Sequence, residues 1–457
     1  MSGSLRTDLY ELNMATSYLR RSMRQPATFS LFVRALPPER GFLVANGLED
    51  CLTWLEGLRF EADDLAYLAG LGFAAEDLAV LADLRFTGEV WAVPEGTVVV
   101  AQEPLLEVTA PIAEAQVAET FLLNQITFQT SLASKAARCV VAAGGRIELV
   151  EFGLRRTHGI EAGDAAARAA AMVGFIGTSN VEAAKRYGLR ASGTMAHSYV
   201  EAFPSELEAF RAYAHDHPAG VTLLVDTYDS VAGLANAITV FTETGLDRGV
   251  AVRLDSGDLA ELARLARRML DGAGLHGVRV FVSGGLDEHD LATLVATRAP
   301  VDAAGVGTRL GVSADAPYLD SAYKLVSLGD RAVMKLSPGK VSLPGAKQVF
   351  RGPGMRDVIG LRHDAPPPGT RPLLQQVMRD GRRVTADAGA PAGGLAAARA
   401  RFEADLAELP AAARALVRPE SPVPGLSESL RELTRRTESQ ARLAQGPAVP
   451  APRDGPS

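Results

Sequence analysis

From about residue 146, apolar β-rich runs alternate with helical segments, and each run ends in polar residues. A parallel α/β barrel produces this pattern, and so does a doubly wound open sheet. We favour the barrel because the polar residues stand where barrels build their active sites, at the carboxyl ends of strands. Seven runs instead of eight predict an irregular barrel. The runs are IELVEFG, GFIGTS, ASGTMAHS, TLLVDTYDS, VAVRLDSGD, RVFVSGG and DAAGVGT.

The flanking segments follow other patterns. Residues 1–120 are predicted to form an N-terminal α/β domain, with a helix over 7–22, a strand over 27–36 and helices within 46–82. A long helix over 115–143 leads into the barrel domain, residues 121–330. After residue 330 the alternation stops, which predicts a β and helical C-terminal extension over 331–440. Residues 441–457 are predicted to be a disordered tail because they lack apolar residues that could form a core.

Composition narrows the class of protein. The chain has 457 residues, of which 47% are hydrophobic and 22% charged, as in globular proteins of two or three domains. No apolar run is long enough to span a membrane, and the charged first residues exclude a secretory signal. The net charge of −7 argues against a nucleic-acid partner. Two cysteines cannot form a disulfide framework, so we expect a cytoplasmic protein.

Acidic and basic side chains end two neighbouring runs. Arg253 and Asp255 point to the same side of a strand and could bind a carboxylate and ribose hydroxyls. A salt bridge followed by a helix N-cap would explain the same residues. Asp226 ends the preceding run, where it suits Mg²⁺ or a sugar, although an N-cap is the simpler alternative.

Glycine-rich turns follow the last two runs. Such turns let backbone amides approach a phosphate closely, and phosphate sites in barrels commonly follow the last strands. Tight turns use the same residues, but a pair of them at the final two units favours a phosphate site. The residues concerned are Ser283, Gly284, Gly285, Gly305, Gly307 and Thr308.

Two further features lie at strand ends. Arg155 and Arg156 follow Phe152 and could clamp a pyrophosphate, although paired arginines on a loop are commonly just solvated. His197 differs from the other six histidines because it is predicted to close a barrel strand. There it could act as a base, a ligand or a phosphoryl acceptor.

Eight strings in order give the chain a family resemblance. TDLYELNMA, EFGLRR, GFIGTSNV, GTMAHSYV, LVDTYDS, AVRLDSGDL, GVGTRL and YKLV resemble the nicotinate phosphoribosyltransferases over about residues 5–350. The resemblance implies a type II phosphoribosyltransferase, with an N-terminal α/β sandwich domain against an irregular parallel α/β barrel. It implies a homodimer with shared active sites that works in NAD salvage. Such enzymes make nicotinate mononucleotide and pyrophosphate from nicotinate and phosphoribosyl pyrophosphate, with Mg²⁺, and couple this to ATP hydrolysis through a phosphohistidine.

The resemblance also implies roles for individual residues. His197 would be the phosphohistidine, and Phe152 would sandwich the pyridine ring with Tyr10 of the partner subunit. Thr194 and Arg253 would contact nicotinate, and Ser179 and Ser283 would belong to the substrate site. The metal ligands are not identified individually. The residues that would hold phosphoribosyl pyrophosphate and its metal are Arg155, Asp226, Asp255, Gly284, Gly285, Gly305, Gly307 and Thr308.

Three alternatives accompany this interpretation. Nicotinamide phosphoribosyltransferases resemble the chain, but they carry an Asp where this chain has Ser179, and Ser179 removes an anion that would repel a carboxylate. A quinolinate enzyme would need a denser basic cluster for a dicarboxylate. A catalytically silent barrel that serves as a scaffold or sensor is the alternative from a different class, since fold alone does not prove function.

Overall fold

The computed structural model describes residues 3–337, 341–384 and 394–444, and its first part alternates helices with strands. The sequence patterns predict most of these elements, although the long helix expected over 115–143 is divided in two at Ala118. The helices are α1 (Leu9–Arg20), α2 (Leu48–Glu56), α3 (Ala62–Gly70), α4 (Ala75–Asp83), α5 (Ile112–Val117) and α6 (Glu119–Ala143). The strands are β1 (Pro26–Val33), β2 (Leu43–Val44), β3 (Glu89–Ala92), β4 (Val98–Val99) and β5 (Pro104–Pro111).

The second part of the chain alternates short strands with helices. The strands are β6 (Glu148–Glu151), β7 (Gly177–Thr178), β8 (Thr222–Leu224), β9 (Ala251–Leu254), β10 (Arg279–Val282) and β11 (Ala303–Val306). The helices are α7 (Ile160–Val173), α8 (Val181–Tyr187), α9 (His197–Glu201), α10 (Glu206–Asp216), α11 (Ser230–Thr244), α12 (Leu259–Gly272), α13 (Glu288–Ala296) and α14 (Thr308–Gly311).

These six strands form one parallel sheet in the order β7-β6-β11-β10-β9-β8. The sheet is a curled half-barrel, which confirms the prediction of an irregular parallel α/β barrel. Its outer side packs against the helices in one large apolar core. Because all the strands run in the same direction, their carboxyl ends meet at one rim, and that rim holds the polar residues of the sequence runs.

The half-barrel stays open between β7 and β8. ASGTMAHS was predicted to be a barrel strand, but the structure shows only an isolated bridge between Thr178 and Ala191. Small and polar residues such as Ser192 and Gly193 are poor strand formers, because they give little side-chain packing on a sheet. His197 is therefore the first residue of the short helix α9, and the prediction that it closes a strand is wrong.

The N-terminal domain is built on a seven-stranded sheet that draws on distant parts of the chain. Its strand order is β13-β12-β1-β5-β3-β17-β18, where β12 is Ser321–Leu328, β13 Arg331–Ala332, β17 Gln375–Arg379 and β18 Arg382–Arg383. Strand β1 pairs antiparallel with β5 on one side and β12 on the other. The sheet thus takes in strands from beyond residue 120, so the predicted domain boundaries do not follow it. Its apolar residues form a second core.

The C-terminal extension adds a smaller sheet and two helices. Its strands are β14 (Lys347–Arg351), β15 (Val358–Leu361), β16 (Arg371–Pro372) and β19 (Gly425–Leu426), and its helices are α15 (Leu395–Glu408) and α16 (Glu428–Ala444). Buried Asp405 of α15 fastens the extension to the N-terminal domain, because it accepts a hydrogen bond from Val98 N at 3.0 Å. Within the extension it also accepts from Arg351 Nη1 of β14 at 3.0 Å.

Two predictions at this end have different outcomes. Residues 441–444 belong to α16 and are not part of a tail, and residues 445–457 of the predicted tail lie outside the described residues. Within residues 3–337, 341–384 and 394–444, no helix combines the length and apolarity needed to cross a membrane.

Candidate active site

Arg253 is the centre of a hydrogen-bond network at the rim of the half-barrel. The residue is only 9% exposed, because it lies inside β9 with its side chain turned into the barrel. Its Nε donates to Ser283 Oγ at 2.8 Å, and its Nη1 donates to Thr194 Oγ1 at 2.7 Å and to Met195 O at 3.3 Å. Its Nη2 donates to Asp255 Oδ1 at 2.7 Å. A guanidinium has five N–H groups, so one on Nη2 is left for a ligand.

Asp255 joins this network to the neighbouring strand end. Ser283 Oγ donates a hydrogen bond to Asp255 Oδ1, the oxygen that also accepts from Arg253. Burial tends to raise the pKa of Asp255, but the hydrogen bonds from Ser283 and Arg253 and the positive charge of Arg253 outweigh it and lower the pKa. Asp255 is therefore a carboxylate over the ordinary pH range, held in one orientation.

Asp226 follows β8 and faces the same rim. Its Oδ2 accepts from Asp255 N at 2.9 Å and from Ser256 Oγ at 2.6 Å. Its Oδ1 is buried and has no hydrogen-bond partner among the described residues. A buried carboxylate oxygen without a partner is costly, so this atom is suited to a cation or a hydroxyl group of a ligand.

His197 stands beside the same carboxylates. Its Nδ1 lies 3.2 Å from Thr227 Oγ1, and its Nε2 lies 3.8 Å from Asp255 Oδ2. The contact with Thr227 sets the ring orientation and leaves Nε2 directed towards Asp255. The sequence patterns did not single out Thr227, although its position directly after Asp226 at a strand end is a signal that could have identified it.

Phe152 forms an aromatic wall next to Arg253. The centre of its ring lies 5.8 Å from the guanidinium carbon of Arg253 and 5.6 Å from the ring centre of Phe281. Gly305 lies inside β11, and a Cβ added to it would stand 2.7 Å from Phe152 Cδ2. Position 305 is therefore glycine because any side chain there would collide with the Phe152 ring. Its predicted role at a phosphate stays a prediction.

The two glycine turns lie against this network. Gly284 has a φ of +104°, and a Cβ there would stand 1.9 Å from the carbonyl oxygen of Asp255. Gly285 has a φ of +76° and open space around it. Gly307 packs against the backbone of Phe152, and Thr308 follows it as the exposed first residue of α14. The turn after β10 therefore touches the loop that carries Asp255, and the turn after β11 touches the loop that carries Phe152.

The other predicted site residues lie outside the network. Tyr10 is on α1, 47% exposed, and no hydrogen bond or ring contact within the described part of the chain joins it to Phe152. Arg155 is exposed in a 3-10 turn behind Phe152 and makes no ion pair with another described residue. Ser179 follows β7, where its backbone N donates to Glu151 O at 2.8 Å. Their roles in binding stay predictions.

Glu151 lies in the run IELVEFG, and the sequence patterns did not single it out. The structure buries it completely, and its carboxylate accepts hydrogen bonds from Gly153 N and from Thr178 Oγ1. Burial raises its pKa, against the lowering effect of these two bonds. It ties the loop that carries Phe152 to β7. A lone acidic residue that closes an apolar strand before Phe-Gly is the signal that could have identified it.

Below Arg253 the half-barrel is hollow. A cavity of about 340 Å³ extends from Thr194 towards the amino ends of the strands, where Arg279 and Glu148 form an ion pair of 2.7 Å. Alanines at 251 and 303 leave this space open. Its upper wall includes Thr194 and Phe281, so it adjoins the Arg253 network directly.

A parallel half-barrel with a buried Arg, two Asp and two glycine turns at its carboxyl rim defines an α/β-barrel enzyme with a site for an anionic small molecule. Comparison with known proteins identifies it further. Residues 5–127 match the model of the nicotinate phosphoribosyltransferase N-terminal domain, and residues 147–327 match that of the nicotinate phosphoribosyltransferase family. The chain belongs to the nicotinate phosphoribosyltransferase family, as the sequence resemblance indicated.

Individual relatives agree with this assignment. Nicotinate phosphoribosyltransferase pncB2 of Mycobacterium tuberculosis is 49% identical over 388 residues, which cover 84% of this chain and 83% of that protein. Nicotinate phosphoribosyltransferase of Bacillus subtilis is 45% identical over 76% of this chain and 73% of its own length. The crystal structure of human nicotinic acid phosphoribosyltransferase, 28% identical, superimposes with a TM-score of 0.83 over 94% of this chain and 99% of that one.

Proposed function

We propose that the protein condenses nicotinate with phosphoribosyl pyrophosphate to give nicotinate mononucleotide and pyrophosphate, as a step of pyridine nucleotide salvage. The observation that carries this proposal is Arg253, a nearly buried guanidinium with a phenylalanine ring beside it. One of its N–H groups makes no hydrogen bond to another described residue. A planar aromatic acid matches both features, because its carboxylate can accept from Arg253 while its ring stacks on Phe152.

In this reaction, catalysis depends mainly on how the enzyme positions the substrates. Displacement of pyrophosphate from C1 of ribose develops positive charge on the sugar and negative charge on the leaving group. The side chains of Arg253, Thr194 and Phe152 would hold the ring nitrogen against C1, and the carboxylate of Asp255 would hold the ribose and stabilise its positive charge. The glycine turns after β10 and β11, with Arg155, would hold the phosphates.

Mg²⁺ fits the residues that face the rim. Asp226 Oδ1 is buried without a partner, and Mg²⁺ prefers one or two carboxylates together with phosphate oxygens and water. When bound, the ion would neutralise charge on the departing pyrophosphate. No group of three or more His, Cys, Asp or Glu side chains suited to a metal ion occurs among the residues that the structure describes. The proposal therefore assigns the ion to Asp226 and the substrate phosphates.

We further propose that ATP phosphorylates His197. Partial exposure and the contact of Nδ1 with Thr227 support Nε2 as the acceptor of the γ-phosphoryl group. With the ring proton on Nδ1, Nε2 would attack the γ-phosphorus, and ADP would leave. Phosphate on this atom would stand beside Asp255, where its repulsion could bias the site towards release of pyrophosphate.

A homodimer with shared sites completes the proposal. Tyr10 is half exposed on the N-terminal domain, and Leu9 beside it is also exposed. An aromatic ring presented in this way could reach the Phe152 wall of a second subunit.

Both cysteines, Cys51 and Cys139, are buried free thiols, which agrees with a cytoplasmic location.

One experiment tests the proposed function. Steady-state rates are measured with nicotinate, nicotinamide and quinolinate, each with phosphoribosyl pyrophosphate, Mg²⁺, and with or without ATP. We expect kcat/KM to be highest for nicotinate and to rise with ATP. A preference for nicotinamide would favour the alternative amide activity. If none of the three pyridine substrates led to release of pyrophosphate, the result would favour a catalytically silent scaffold.

A further inference from the structure

An ion pair between a half-exposed arginine and a buried aspartate links the two glycine turns of the site. Arg309 follows Thr308 directly on α14, and its Nη1 donates to Asp287 Oδ2 at 2.5 Å. It also lies 3.4 Å from Asp290 Oδ2. Asp287 comes two residues after Gly285 and caps α13. A single side chain from the turn after β11 thus bonds to the residue that ends the turn after β10.

The surroundings of Asp287 favour its ionised form, and Arg309 contributes to this. Its Oδ1 accepts from the backbone N of His289 at 2.9 Å and of Asp290 at 3.3 Å, while Asp290 Oδ2 accepts from Asp287 N at 3.0 Å. Burial tends to raise the pKa of Asp287, but the hydrogen bond from Arg309 and the backbone amides lower it. The pKa of Asp290 is raised by burial and by the charge of Asp287. Arg309 therefore offsets the repulsion between two carboxylates in the first turn of α13.

A second ionic link lies deeper and does not involve Arg309. Lys135 of α6 is almost fully buried, and its Nζ lies 2.5 Å from Glu288 Oε2 and 3.1 Å from Asp315 Oδ1. Glu288 opens α13, and Asp315 follows α14. Lys135 thus joins α13 and the segment after α14 to helix α6. The outer link of Arg309 acts nearer the rim, so it can be removed without breaking the inner one.

We propose that Arg309 is a positioning residue of the phosphate site, which holds the two glycine turns at the spacing that phosphoribosyl pyrophosphate requires. This inference rests on the proposed function. It differs from direct phosphate binding, because the group that Arg309 contacts is Asp287 and not the ligand. The side chain of Arg309 is about half exposed, whereas that of Asp287 is 11% exposed, so the pair lies where the edge of the site meets solvent.

A double-mutant cycle tests the role. The variants are Arg309→Gln, Asp287→Asn and the double variant, and Asn keeps the N-cap that Asp supplies. Dissociation constants for phosphoribosyl pyrophosphate are measured by calorimetry, and KM and kcat by steady-state kinetics. We expect each single variant to raise the Kd and KM for phosphoribosyl pyrophosphate by roughly three- to tenfold, with kcat and the KM for nicotinate within about twofold. The double variant should lose no more affinity for phosphoribosyl pyrophosphate than either single variant, because all three break the same ion pair.

Two controls accompany the cycle. Arg309→Lys keeps a cation within reach of Asp287 and should recover most of the affinity. Arg211→Gln removes an ion pair whose arginine is about as exposed as Arg309 but whose partner, Glu243, is more exposed than Asp287. The pair joins helices α10 and α11, and its loss should leave the Kd and KM for phosphoribosyl pyrophosphate unchanged. Thermal melting of every variant shows whether the fold is intact.

The outcomes separate the possible roles. A loss with Arg309→Gln but none with Asp287→Asn would show that Arg309 binds phosphate directly and would overturn the positioning role. Unchanged Kd values in both variants would overturn it too. A wild-type protein that binds phosphoribosyl pyrophosphate but does not convert nicotinate would overturn the proposed function alone. Failure of the wild type to bind phosphoribosyl pyrophosphate would overturn both.

Discussion

His197 Nε2 lies 3.8 Å from Asp255 Oδ2, while the other oxygen of the same carboxylate accepts a hydrogen bond from Arg253. The carboxylate of Asp255 therefore lies between His197, the proposed phosphoryl acceptor, and Arg253, which is proposed to bind the carboxylate of nicotinate. A change of charge on His197 would act on Asp255 at short range and, through it, on Arg253. This arrangement offers a physical route by which ATP use could be coupled to nicotinate binding.

We expect His197→Ala to remove labelling by γ-labelled ATP and to abolish stimulation by ATP, while some ATP-independent synthesis remains. The reason is that no other described histidine contacts Asp255. Thr227→Val is the matched variant, because it keeps the imidazole and removes the contact with Nδ1, and it should reduce the labelling only in part. Acid-labile phosphate that persists in His197→Ala would rule out this histidine as the acceptor.

Arg253→Ala should raise the KM for nicotinate and lower kcat/KM by the equivalent of about 2–4 kcal/mol, because a charged hydrogen-bond pair is lost and Asp255 keeps only the hydrogen bond from Ser283. Rates with nicotinate and nicotinamide are compared in the variant and the wild type. The preference for nicotinate should fall sharply. An unchanged preference would contradict the role of Arg253 in reading the carboxylate.

Gly284→Ala and Gly285→Ala form a matched pair of adjacent variants. Both place alanine at a positive φ, which costs about 1–2 kcal/mol. Only alanine at 284 would also collide with the carbonyl oxygen of Asp255. Displacement of Asp255 by about 1 Å could cost up to about 100-fold in kcat/KM, so Gly284→Ala should be far less active than Gly285→Ala. Equal activities, at equal melting temperatures, would show that the contact with Asp255 does not matter.

Glu11 should make stability depend on pH. Burial raises the pKa of Glu11 to about 7, against the lowering effect of hydrogen bonds from Thr7 and Thr120. In the unfolded chain a Glu has a pKa of about 4.3, so between these two values the native state binds a proton that the unfolded state has lost. Stability should therefore fall as the pH rises from about 4.3 to 7.

Melting temperatures of the wild type and of Glu11→Gln, measured from pH 5 to 8.5, check this prediction. The amide of Gln resembles the protonated carboxyl group. The melting temperature of Glu11→Gln should therefore rise relative to that of the wild type as the pH rises. Glu438→Gln on α16, where the carboxylate is exposed, is a control that should show no such trend. A constant difference between Glu11→Gln and the wild type would mean that Glu11 does not titrate in this range.

The shared-site dimer is tested by complementation. Tyr10→Ala and Arg253→Ala subunits are each expected to be nearly inactive alone. After subunit exchange, half the sites of each heterodimer combine two intact halves, so activity should return to up to about a quarter of that of the wild type. Heterodimers that form but stay inactive would show that Tyr10 serves its own subunit.

The sequence located the site to within the strand ends, because parallel strands must bring their carboxyl ends to one rim. Arg253 and Asp255 come from one run, Ser283 and Thr194 come from two others, and the structure joins all four through hydrogen bonds. Periodicity could not show that the ASGTMAHS run would leave the sheet. Whether a short run with small residues pairs depends on neighbouring strands, which no local pattern contains.

By itself, then, the sequence determined the irregular parallel α/β barrel class, the family, and the rim that carries the polar residues, because strand period, turn glycines and short motifs can be read along the chain. Only the tertiary structure decided that β12, β17 and β18 complete the N-terminal sheet and that Gly305 makes room for Phe152. Only the tertiary structure, too, brought Arg309 to Asp287 across 22 residues of chain. Each of these depends on contacts between segments distant in sequence, and such contacts are set by the packing of the whole fold.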